Sequence, residues 1–128
     1  MAWNSFLKNL IGGDSSEAAE IENAENTGIA RNENLSGRAF KKQLEAAEKA
    51  VLLDVRTAGE FSGGTIPSSK NIDFLSPTFS TNVKKLNKDT VYFVFCRSGN
   101  RSGQACKMMH KMGFDVRNLS GGIGDFPA

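Results

Sequence analysis

The residues Val91-Tyr92-Phe93-Val94-Phe95 form an unbroken apolar run. A strand with one wet face alternates apolar and polar residues. A strand that is apolar on both faces belongs in the middle of a parallel sheet. The next eight residues narrow the choice further. Cys96-Arg97-Ser98-Gly99-Asn100-Arg101-Ser102-Gly103 is a short polar loop leading into a segment that reads as a helix from about Asn100 to Met112. A cysteine thus stands where a buried strand ends and a helix begins. In open parallel sheets, ligands bind beyond the carboxyl ends of the strands.

The rest of the pattern agrees with a sheet built of strand–helix units. Ser36 is placed to cap a helix whose face includes Phe40, Leu44 and Ala47. Val51-Leu52-Leu53 runs as a strand into Asp54, and Asn71-Ile72-Asp73 reads as a short strand. Pro77 is suited to start a helix through about Leu86. The helix after the cysteine loop is expected to bury Ala105, Met108, Met109 and Met112, with Gly113 ending it. Val116 and Leu119 belong to a last strand. Strands alternating with helices predict an α/β fold, with a mainly parallel central sheet and helices on both faces.

The predicted domain covers residues 34–128. Residues 13–33 are acidic, polar and poor in groups to bury, and read as a linker. Within residues 1–12, Trp3, Phe6, Leu7, Leu10 and Ile11 fall at helical spacing and form an amphipathic segment. So short a helix is marginal alone in water. It reads as a docking element, for protein rather than for a membrane surface, since it carries only Lys8 as a cation.

Cys96 has the surroundings of a nucleophile. The thiolate, not the thiol, attacks, and nearby cations or a helix N-terminus lower a cysteine's pKa from about 8.5. One helix end supplies ~0.3–1 kcal/mol, up to ~2 in a partly buried site. Convergent loop N–H groups, helped by Arg97 or Arg101, must add to that. Gly99 and Gly103 allow the backbone to turn tightly there. The alternative is a core cysteine, a common fate of free thiols. The arginines and glycines around Cys96 favour the nucleophile. Cys106, inside the helix, reads instead as core filling. His110 lies most of a helix away from Cys96, so no Cys–His couple is expected. Two cysteines and one histidine lack metal-ligand spacing.

Three motifs in order give the chain a family likeness. The Cys96 loop resembles the C-R-x-G-x-R-S active-site loop of rhodanese-like sulfurtransferases. Asp54-Val55-Arg56, Glu60-Phe61 and Gly64-Thr65-Ile66-Pro67 through Ile72 resemble the family's D-V-R-x-x-x-E-F-x-x-G-H-I-P-G-A-x-N-I. Gly121-Gly122-Ile123, with Phe126, stands where the family has G-G-x-x-x-W. The likeness spans about Asn34 to Phe126. Thr65 replaces the usual histidine, and Ser68-Ser69 replaces Gly-Ala.

The resemblance implies a single-domain sulfurtransferase. Cys96 would take sulfane sulfur from thiosulfate or a persulfide and pass it to a thiol, or to cyanide in an assay, through a cysteine persulfide. No cofactor beyond that persulfide is implied. Ser98, Gly99, Asn100, Arg101 and Ser102 would line the sulfur site, with Arg101 holding the anionic sulfur. Arg97 at the rim would meet the donor's sulfonate. Arg56 would bound the same pocket, or pair with Asp54 or Glu60. Cysteine phosphatases and arsenate reductases of the same fold are the alternative, but phosphatases need an arginine six positions after the cysteine. Ser102 occupies that place, and Arg101 comes one residue early. A targeting or interaction module with secondary sulfur transfer is a further alternative.

Charge fits a small anionic donor. Residues 1–26 carry net −4, whereas residues 27–128 carry net +6. No arginine-rich run or aromatic-interleaved basic stripe suggests nucleic acid. A reactive thiol needs reducing surroundings, so a cytoplasmic location is expected.

Overall fold

The structure is a computed structural model that describes residues 29–128. The amphipathic segment 1–12 and residues 13–28 of the expected linker lie outside the described residues. Five strands and four α-helices alternate. They are β1 (Asn32–Leu35), α1 (Gly37–Ala46), β2 (Ala50–Asp54), α2 (Ala58–Ser62), β3 (Lys70–Asn71), α3 (Phe79–Lys84), β4 (Val91–Phe95), α4 (Asn100–Lys111) and β5 (Asp115–Leu119). A 3₁₀ turn, Ile123–Asp125, comes after β5. The sheet order is β1-β5-β4-β2-β3, and every pairing is parallel.

β4 lies in the middle of the sheet, and all five of its residues are buried. Its two faces serve two layers. Tyr92 and Val94 join Leu53, Val55 and Val116 beneath Phe79 and Val83 of α3 and Ala105, Cys106 and Met109 of α4. Phe93 faces the other way and meets Phe40 of α1 edge to face, with centroids 5.3 Å apart. Such a pair adds roughly 0.5–1.5 kcal/mol to the burial itself. The central strand thus dictates a layer on each side, as its composition requires.

The caps obey local chemistry. The Ser36 hydroxyl accepts from Ala39 N at 3.2 Å, which fixes the start of α1. Gly113, at φ +100°, comes just after the end of α4 in the left-handed region that an L side chain resists. Ser68 adopts φ +73° without that freedom, at the position where the resembled motif has glycine.

Several expectations need correction. β1 begins at Asn32, inside the stretch read as linker. Its sequence, Asn-Glu-Asn-Leu, carries almost no strand signal. It is ordered by pairing with β5 and by Asn118 Nδ2 donating to Asn34 Oδ1 at 2.8 Å. Buried Arg117 of β5 adds to this edge through Asp115, at 2.6 Å, and Glu33, at 3.2 Å. α2 is not among the expected helices, although Thr57-x-x-Glu60 is a capping box in which each residue's side chain caps the other's backbone. α3 starts at Phe79 rather than Pro77, because Ser76–Phe79 closes a turn first. Met108 is 36% exposed. The stripe that α4 buries is Ser102, Ala105, Cys106 and Met109, and Met108 falls outside it.

Candidate active site

β2 and β4 are neighbours in register, with Asp54 beside Phe95. Their carboxyl ends therefore release two loops side by side. One carries Arg56 and opens α2; the other carries Cys96 and opens α4. The pairing continues one step beyond the strands, where Val55 N donates to Phe95 O at 3.0 Å.

The Cys96 loop curls around its own sulfur. Gly99 N donates to Sγ at 3.1 Å, Ser102 N at 3.4 Å and Ser102 Oγ at 3.3 Å. Gly99 adopts φ +93°, and a Cβ there would lie 2.1 Å from Ser120 O. Only glycine allows this turn. Asn118 Nδ2 steadies it from β5 by donating to Gly99 O at 3.3 Å. Burial pushes the Cys96 thiol's pKa up. The Ser102 hydroxyl and the backbone N–H groups of Ser102, Ser98 and Gly99 outweigh that cost, and the net direction is down.

The Gly121-Gly122-Ile123 motif supports the loop from below. Ile123 N donates to Cys96 O at 2.9 Å. Gly122 has φ +79°, and a Cβ on it would fall 2.0 Å from Arg97 O. The 3₁₀ turn is itself tied to the domain: Asp125 Oδ2 accepts from Gly37 N at 2.7 Å. Phe126, in the resembled tryptophan position, packs edge to face on Phe40.

The arginines find other partners than the sulfur. Arg101 forms a two-pronged pair with Glu60, at 2.8 and 3.2 Å. Its expected role as holder of the anionic sulfur thus meets a carboxylate already in place. The Arg101 pair, and after it the Thr57 backbone N–H, pulls the Glu60 pKa down to about 2. Arg56 pairs with buried Asp54, its Nη2 lying 2.7 Å from Oδ2, and donates to Gly64 O at 2.7 Å. Of the two ion pairs considered for Arg56, the one with Asp54 is therefore the direct contact. Thr65 Oγ1 donates to the same Asp54 Oδ2 at 2.8 Å, so the residue in the usual histidine position orders the Arg56 loop. Arg97 and Ser98 are exposed. Asn100 Oδ1 accepts from Gln104 Nε2 at 2.8 Å, along α4.

Cys106 differs from Cys96. It is buried among apolar residues, which pushes its thiol pKa up to about 12. Among the described residues, no cluster of three or more His, Cys, Asp or Glu could hold a metal ion. Sequence reasoning missed Glu60 and Asn118 as parts of this site. Glu60 was visible only as a motif letter and as a neighbour of Arg56; nothing local ties Asn118 to the loop.

This cradle is matched by the model of the rhodanese-like domain over residues 36–128. The chain belongs to the rhodanese-like family. A Bacillus subtilis protein named a sulfurtransferase, YtwF, is 36% identical over 89 residues, covering 70% of this chain and 84% of its own length. A protein of Allochromatium vinosum named a sulfurtransferase is 33% identical over 91 residues, with 70% and 82% covered. A rhodanese-like domain protein of Staphylococcus aureus superimposes with a TM-score of 0.65 at 27% identity, covering 74% of this chain and 91% of that one.

Proposed function

We propose that this rhodanese-like protein is a sulfurtransferase working through a persulfide on Cys96. The observation that carries this reading is the set of hydrogen bonds to Sγ from Gly99 N, Ser102 N and Ser102 Oγ. They favour the thiolate, the attacking species. Cys96 Sγ attacks the outer sulfur of the donor and an S–S bond forms. The donor's own S–S bond breaks, and its electron pair leaves with sulfite, when thiosulfate is the donor, or with a thiolate, when a persulfide is. An acceptor thiolate then attacks the outer sulfur and frees Cys96. The same N–H groups hold the terminal sulfur anion between the two half-reactions.

Arginine one position short of the phosphatase register leaves a tight bowl of N–H groups, suited to sulfur rather than a phosphate ester. A reduced compartment such as the cytoplasm keeps the thiol free. Among the described residues no helix is long and apolar enough to cross a membrane.

The test is covalent. Thiosulfate or an alkyl persulfide should add the mass of one sulfur atom, located on Cys96 by peptide mapping and removed by cyanide. Aryl phosphates should turn over negligibly beside either donor. Sulfur found only on Cys106, or brisk phosphatase activity, refutes the proposal.

A further inference from the structure

Arg56 and Arg97 lie in the loops that end β2 and β4, Arg101 lies in the first turn of α4, and a basic, thiosulfate-attracting pocket is the simple expectation. The charges do not add up that way. Arg56 is bound by buried Asp54, and Arg101 by Glu60 in a two-pronged pair. The two pairs feel one another: Arg56 interacts electrostatically with both Glu60 and Arg101. Arg101 also couples to the Cys96 charge and to Asp73. The guanidinium that couples to Cys96, that of Arg101, and its neighbour on Arg56 are thus each matched by a carboxylate at hydrogen-bond distance. Arg97 is exposed, at the rim of the loop.

We infer that Glu60 is a specificity-determining residue: by neutralising Arg101 it turns the Cys96 cradle away from multiply charged donors and toward persulfides, whose reacting end carries at most one charge. The inference rests on the sulfurtransferase reading above and adds the donor class to it. Glu60 reaches the chemistry only through Arg101, so it is a positioning residue. A dianion such as thiosulfate approaching Arg101 must compete with a carboxylate that holds both prongs of the fork. A persulfide asks less of that charge. Its terminal sulfur can be held by the loop N–H groups that already hold Sγ. The donor's remaining body, whether a small thiol or a protein cysteine, has no need of a cation.

The variant Glu60→Gln separates charge from structure. Glutamine at this position still serves the Thr57 capping box, since Glu and Gln are interchangeable there. Its side chain can accept one bond from Arg101 but cannot neutralise it. With Arg101 unmasked, the ratio of kcat/KM for thiosulfate to kcat/KM for an alkyl persulfide should rise about tenfold, a change of the size that one charge produces near a protein surface. The gain should lie in KM, fall with added salt and vanish in the double variant Glu60→Gln/Arg101→Gln. A ratio that does not rise in Glu60→Gln, or that rises equally in the double variant, overturns the inference. A fall in melting temperature with parallel loss of both activities also overturns it, since Glu60 would then be only structural. If neither donor places sulfur on Cys96 in the natural chain, the sulfurtransferase reading itself fails, and the two failures are told apart.

Discussion

Cys96 and Cys106 stand ten residues apart, at the start and in the middle of one strand–helix unit, and both are fully buried. Burial alone would push both pKa values up. It does so for Cys106, whose neighbours Val94, Val116 and Met109 offer no donor. Cys96 goes the other way because the loop aims N–H groups and a hydroxyl at its sulfur. The contrast teaches that the direction in which a buried thiol's pKa moves here follows the donors aimed at its sulfur. The helix supplies both environments. Its first turn has unsatisfied N–H groups, while in its interior each N–H is already bonded four residues back.

The sharpest way to break this contrast is to exchange the thiols for hydroxyls. Cys96→Ser should lose sulfur transfer to background, whereas Cys106→Ser should keep it at close to the natural rate. A steady-state cyanide assay reads both. Comparable losses would mean that the two sites work as a pair.

Next in size is a backbone contrast. Gly99→Ala would bring a Cβ to 2.1 Å from Ser120 O at φ +93°. It should cost roughly 2–4 kcal/mol in urea denaturation and abolish the cradle. Gly103→Ala, within α4, meets only Asn118 Nδ2, at 3.3 Å. Its gain in helix propensity, up to about 1 kcal/mol, should leave it near neutral. Equal costs at the two glycines would show that the loop is no more constrained than the helix.

A third test uses pH, and the two thiols predict opposite signs. Above the ordinary cysteine value the unfolded chain has lost the Cys106 proton, but the folded chain keeps it until about pH 12. Stability conferred by Cys106 therefore falls by about 1.4 kcal/mol per pH unit across that window. The difference between the natural chain and Cys106→Ala isolates it from Tyr92, whose pKa burial also raises. Cys96 has a lowered folded value. Its contribution is present above the unfolded value and is lost as pH falls through the folded one. Cys96→Ser should remove a gain in stability on going from neutral to mildly alkaline pH. A flat alkaline slope in the Cys106 comparison would count against its buried, donor-free setting.

The smallest effect belongs to one hydroxyl. Ser102→Ala deletes the Oγ bond to Sγ and keeps the N–H bond. Alkylation of Cys96 by iodoacetamide at neutral pH should slow several-fold, with its pH profile moved upward, while melting temperature changes little. An unmoved profile would assign the lowering to the backbone N–H groups alone.

The most legible parts of the fold were those with short-range signals. Apolar residues on both faces marked β4 as central, Ser36 marked the start of α1 and Gly113 the end of α4. In the site, Cys96, Gly99 and Ser102 stood together because loop geometry joins near neighbours in sequence. Less was legible where distance along the chain grew. β1 has no apolar periodicity, and Met108 was expected within a stripe whose position on α4 is set by how the helix packs on the sheet.

By itself, the sequence determined that a buried strand would deliver a cysteine to a glycine-turned loop at a helix N-terminus, since each part is specified by residues adjacent in the chain. Only the tertiary structure decided what the charges around it do. Glu60 and Arg101 are 41 positions apart, and each has several opposite charges within reach in an unfolded chain. Which pair forms depends on β2 and β4 lying side by side, so that α2 and α4 begin next to one another. Asn118 reaches Gly99, and Asn34 of the edge strand, for the same reason: β5 sits between β4 and β1 in the sheet. Long-range electrostatic and amide pairings have no period to read, because they are set by strand order, which is a property of the whole sheet.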